Sequence, residues 1–167
     1  KKLPQVGYFC NNANSAILFS TWKKYLFNEE LTGLEDLELA KRLTNDGGKI
    51  GYIPEAAVYH FHNESWAQIR RRFEREAIAL KNIMPNLIIK KRDLIRYIFM
   101  AILNDVFAEN KFFSNFKKLP NIIFYRLNQY YGSFRGNRYD KKEISSKLKE
   151  IYFYPSSSQN NNIEIDY

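Results

Sequence analysis

Between Leu31 and His62 the hydrophobic repeat changes once, from a helical period to strict alternation, and that change limits what the chain can fold into. A step of about 100° per residue from Leu34 puts Leu37, Leu39, Ala40 and Leu43 on one arc, with Glu35, Glu38, Lys41, Arg42 and Asn45 opposite. Thr32, with Glu35 three residues on, is a capping-box signature and predicts a helix starting near Gly33. Gly47-Gly48 ends it. Lys49 to Ile53 then reads as a short strand stopped by Pro54. Ala57 to His62 reads as a second, in which Val58, His60 and His62 share one face and Tyr59 and Phe61 the other. A helix followed by two short strands predicts an α/β chain.

Two features of this stretch carry chemistry. Asp36 falls among the leucines, where a first-turn carboxylate is costly to bury unless a donor meets it. Such an acid either stabilises the helix dipole or is a rigidly held, ionised general base. His60 and His62, the only histidines, are either ordinary strand-end residues or two imidazole ligands for a metal.

Three blocks in order, F9-C10-N11-N12-A13-N14-S15-A16, F27-N28-E29-E30-L31-T32-G33-L34-E35-D36 and Y52-I53-P54-E55-A56-A57-V58-Y59-H60-F61-H62, resemble the C-terminal half of bacterial family 2 glycosyltransferases. The resemblance covers roughly residues 5 to 84. It implies the acceptor-side portion of a GT-A fold, with a few short strands and the Glu-Asp helix, followed by a mostly helical extension. It also implies an inverting transfer from a nucleotide-diphosphate sugar to a saccharide or lipid-linked acceptor, in surface polysaccharide synthesis. In that family the aspartate of the Glu-Asp pair is the general base, which is Asp36 here, beside Glu35. A histidine after the V-x strand completes a divalent-metal site (Mg or Mn) near the donor diphosphate, which points to His60 first and His62 second. The family's nucleotide-binding half precedes these blocks, and no acidic D-x-D stands before Asp36. The chain is therefore expected to be the C-terminal portion of a longer enzyme, inactive alone.

The remaining segments support this core. Asn11, Asn12 and Asn14 crowd a turn before a helix expected from Ser15 to Phe27; their amides act as local caps, or Asn12 and Asn14 bind sugar hydroxyls as in the resembling enzymes. Ser65 and Gln68 form a second capping box, opening a helix to about Met84, with Pro85 as its stop. Its other face carries Arg70, Arg71, Arg72 and Arg75, which is a solvated face or a phosphate-binding fork, with Arg70 and Arg71 as substrate contacts. A third stretch, Asn121 to Tyr131, is expected to close at Gly132-Ser133, with a basic turn over Arg135 to Arg138. Lys141 to Tyr152 reads as a short helix and Pro155 to Asn162 as a flexible end. The expected organisation is 1–84 catalytic, 85–154 helical extension and 155–167 tail.

A formal charge of +8 with 16% aromatic residues points to phosphate-bearing partners or a membrane surface. No zinc-ligand spacing, KH loop or RNP signature is present, so nucleic acid is not expected as a partner. One cysteine, Cys10, precludes an internal disulfide and suits the cytoplasm. No apolar run approaches the roughly 18 residues of a membrane span. The segment Leu94 to Leu103, flanked by Lys90, Lys91 and Arg92 and followed by Phe107, Lys111, Phe112 and Phe113, is either an interfacial helix on the inner membrane face or a helix packed on the catalytic half. The competing function is a non-catalytic basic helical module that docks a membrane or a partner protein.

Overall fold

The structure is a computed structural model and describes residues 4–107 and 116–139. The expected helix and tail beyond Lys141, and Lys111, Phe112 and Phe113, lie outside the described residues. Among the described residues there are five α-helices: α1 (Phe19–Lys24), α2 (Glu35–Asn45), α3 (Trp66–Ile83), α4 (Lys91–Phe107) and α5 (Leu119–Gly136). Single 3-10 turns cover Asn12–Asn14 and Pro54–Ala56.

The α/β expectation is overturned, because the described residues contain no strand and the fold is all-α, not a portion of a GT-A sheet. The alternation at Tyr59 to His62 survives in the side chains: the Tyr59 and Phe61 rings stack at 6.1 Å and the His60 and His62 rings meet at 4.4 Å. A strand, however, needs a neighbour for its N–H and C=O groups. For the run from Lys49 to Ile53 there is one such bond, from the Gln5 N–H to the Ile50 carbonyl at 2.9 Å, and one bond does not make a ladder.

The core lies between α3 and α5. Gly132 and Gly136, one turn apart on α5, face the backbone of α3. A methyl group built on Gly132 would overlap the Arg70 carbonyl oxygen, and one on Gly136 would overlap that of Glu74. The two helices therefore touch backbone to backbone and run parallel. Trp66–Phe124 (5.9 Å) and Phe73–Tyr125 (6.4 Å) extend the contact toward their N-termini. Gly132-Ser133 does not close α5, which continues to Gly136; these glycines are used for close approach rather than for termination.

α4 returns antiparallel along α5. Tyr97 stacks on Tyr130 at 6.0 Å, and Asp105 accepts from Arg126 Nε and Nη2, both at 2.6 Å. The expected basic turn is likewise structural at its centre. Asn137 is buried, donates to the Leu87 carbonyl and accepts from the Ile89 N–H, both at 2.8 Å, which fixes the α3–α4 connection.

Leu39 and Ala40 of α2 are buried, as are Tyr25 and Leu31 before it. Its start differs from the capping-box expectation. The helix begins at Glu35, and Leu34 before it is left-handed (φ 57°, ψ 28°) without a side-chain cap. The Thr32 hydroxyl instead donates to the Arg75 carbonyl on α3 at 2.9 Å, a tertiary bond that replaces the local one. α1 is also shorter than the expected 15–27, because Leu18, Phe19, Trp22 and Leu26 stay exposed and give a longer helix nothing to pack on.

Candidate functional site around Asp36

The first turn of α2 holds Glu35, Asp36 and Glu38. Half-buried Asp36 is fixed by two backbone donors: Leu37 N–H reaches Oδ1 at 2.7 Å and Asn12 N–H reaches Oδ2 at 2.8 Å. The second bond spans 24 positions of sequence and brings the asparagine turn onto the Glu-Asp helix.

That turn is internally braced. Asn11 Oδ1 accepts from the Ala13 N–H at 2.9 Å, and Asn12 Oδ1 accepts from the Ser15 hydroxyl at 3.1 Å. The Asn14 side-chain amide donates to the Ala56 carbonyl, in the second 3-10 turn. The blocks 9–16, 27–36 and 52–62 thus meet in one place, with Asn12 and Asn14 as the two pins.

Asp36 acts electrostatically on its surroundings. Burial pushes the Cys10 thiol up, and the Asp36 carboxylate raises it further. Burial also pushes the Glu76 carboxyl up on α3; Arg72 and Arg75 oppose this, while Glu64 and Asp36 add to it. The α3 face toward α2 is therefore mixed in charge, and the arginines on it are Arg72 and Arg75 rather than the expected Arg70 and Arg71. Arg72 forks onto Glu64, with Nε at 2.9 and 3.0 Å from the two oxygens and Nη2 at 2.8 Å from Oε2. Arg75 sits at the foot of the Glu-Asp helix: a methyl on Gly33 would lie 3.6 Å from its Nε, which is buried without a hydrogen-bond partner. The expected contacts sit elsewhere on the helix. Arg70 is half-buried with its carbonyl against Gly132, and Arg71 is exposed. Two signals could have singled out Arg75 in the sequence: its helical spacing from Arg72, and its position on the flank of the apolar stripe.

His60 and His62 lie in the exposed segment 51–63, their rings edge to face at 4.4 Å. Two imidazoles are too few to hold a divalent ion, and among the described residues no group of three or more His, Cys, Asp or Glu is placed to hold one. By themselves His60 and His62 do not make up a Mg or Mn ligand set, and no step below is routed through a metal.

Chemically, the arrangement offers an oriented carboxylate beside amide donors and acceptors, next to an arginine-rich helix. Comparison of the chain with models of protein families, with curated proteins and with solved structures gives no match.

Proposed function

We propose that the chain supplies the acceptor-side groups of a glycosyltransferase that uses a nucleotide-diphosphate sugar and a saccharide or lipid-linked acceptor. The observation that carries this reading is the joining of three blocks far apart in sequence, whose residue pattern resembles that of such enzymes: the Asn12 N–H bonds the Asp36 carboxylate and the Asn14 amide bonds the Ala56 carbonyl.

In this reading Asp36 takes the proton from the acceptor hydroxyl as that oxygen attacks the anomeric carbon. The bond from that carbon to the diphosphate oxygen breaks, and the configuration inverts. Two backbone donors orient the carboxylate at no side-chain entropy cost, which suits a base that must meet a hydroxyl at hydrogen-bond distance. In this reading the amides of Asn12 and Asn14 meet sugar hydroxyls in exchange for their bonds to Ser15 and Ala56. Arg75, against Gly33 at the start of the Glu-Asp helix, carries charge suited to an anionic group.

The test is transfer by the full-length protein from a panel of nucleotide-diphosphate sugars, read by mass spectrometry of the acceptor. Asp36→Asn is expected to lower transfer by about 10²- to 10⁴-fold, with the nucleotide-sugar affinity by calorimetry unchanged. Turnover equal to that of the wild type overturns the assignment.

A further inference from the structure

The outward face of α4 has no counterpart in the enzymatic reading. At 100° per residue Arg92, Ile95, Arg96 and Phe99 fall within roughly 100° of arc, with Met100 at its margin. The structure leaves this arc open: Ile95 is 70% exposed and Phe99 61%, and Arg92 and Arg96 are exposed beside them. The opposite arc is spent on α5 through Tyr97, Ala101 and Asp105. Exposure of the first arc is thus a property of how α4 packs.

Its surroundings extend the pattern. Ile88, 69% exposed, precedes the helix, and Lys90 and Lys91 are exposed at its start. Asp93 is the one carboxylate in this stretch; it lies 3.8 Å from Arg92 and half-buried, its Oδ2 accepting from the Lys90 N–H at 3.1 Å. Four cations therefore flank and interleave with three large apolar side chains on one surface.

We propose that this face of α4 lies flat on an anionic lipid bilayer. The charge decides between occupants. An apolar partner surface would have to desolvate four guanidinium and ammonium groups, whereas a bilayer receives Ile88, Ile95 and Phe99 at the acyl boundary while the cations stay among the phosphates. No helix among the described residues is long and apolar enough to cross a membrane, so α4, about 25 Å long at 1.5 Å per residue, lies along the surface. The inference does not depend on the role of Asp36.

The test is co-sedimentation of the full chain with vesicles of mixed phosphatidylglycerol and phosphatidylcholine, against phosphatidylcholine alone, at low and high salt. Binding is expected to need the anionic lipid and to weaken with salt. Arg92→Gln and Arg96→Gln should each lower the partition coefficient about fivefold, at roughly 1 kcal/mol per cation. Ile95→Ser with Phe99→Ser should weaken binding too, and all four positions are exposed, so thermal unfolding should stay unchanged. Equal partition onto neutral vesicles, anionic binding that these variants leave intact, or capture of a soluble polyanion without vesicle binding each overturns the proposal.

Discussion

Gly132 of α5 rests against the carbonyl oxygen of Arg70 on α3, with no room for a single methyl group between the two backbones. This contact and its repeat at Gly136 against Glu74 set how closely the two longest helices approach, and therefore where Glu74, buried at 4% exposure, meets Arg135. The Arg135 Nη2 to Glu74 Oε1 distance is 3.4 Å, an ion pair without an aligned hydrogen bond.

Gly132→Ala and Gly136→Ala test the contact by sign as well as size. In an open helix, alanine in place of glycine stabilises by about 1 kcal/mol. Here each substitution should destabilise by about 1–3 kcal/mol, because the helices must move apart. Urea unfolding of each variant reads the difference.

The placement of Asp36 beside Cys10 has a readout independent of activity. The Cys10 thiol is pushed above its ordinary 9.0 by burial and by the Asp36 charge. Asp36→Asn should move the midpoint of the alkylation rate of Cys10 against pH downward. An unmoved midpoint removes the carboxylate from the vicinity of the thiol.

Glu76 makes stability depend on pH in a defined direction. Burial raises its carboxyl in the folded chain despite Arg72 and Arg75, so the folded state holds the proton more tightly than the unfolded state. Its contribution is full below pH 4.5 and is lost as the pH rises from 4.5 through the raised folded value. The unfolding free energy of the wild type, relative to Glu76→Gln, should therefore fall between acid and neutral pH in denaturant titrations.

Thr32 and Glu35 separate the tertiary bond from the local cap. Thr32→Val removes the donor to the Arg75 carbonyl and should cost about 1–2 kcal/mol, since Thr32 is buried. Glu35→Ala should cost only a few tenths, because no capping box depends on it. A larger loss for Glu35→Ala, by thermal unfolding, restores the box.

What could be read from the residues was what neighbouring residues settle among themselves. The Ser65–Gln68 box forms with both reciprocal bonds, Ser65 N–H to Gln68 Oε1 at 2.8 Å and Gln68 N–H to Ser65 Oγ at 3.4 Å. The helix it opens ends at Ile83, one residue short of the expected Met84. Leu39 and Ala40 are buried on the predicted arc of α2. The rings of His60 and His62 come together as an alternating chain requires.

Tertiary structure decided the rest. The Thr32–Glu35 pattern matches that of Ser65–Gln68, yet a carbonyl 43 positions away competed for the threonine hydroxyl and won. Val58 to His62 alternates like a strand and has no ladder, since pairing depends on a neighbour and not on the segment's own composition. The glycines of α5 looked like a stop and are a contact. Period, capping chemistry and charge are properties of a few adjacent residues, so the sequence determines them. Which backbone carbonyl meets which hydroxyl or glycine depends on how distant segments pack, and only the folded chain decides that.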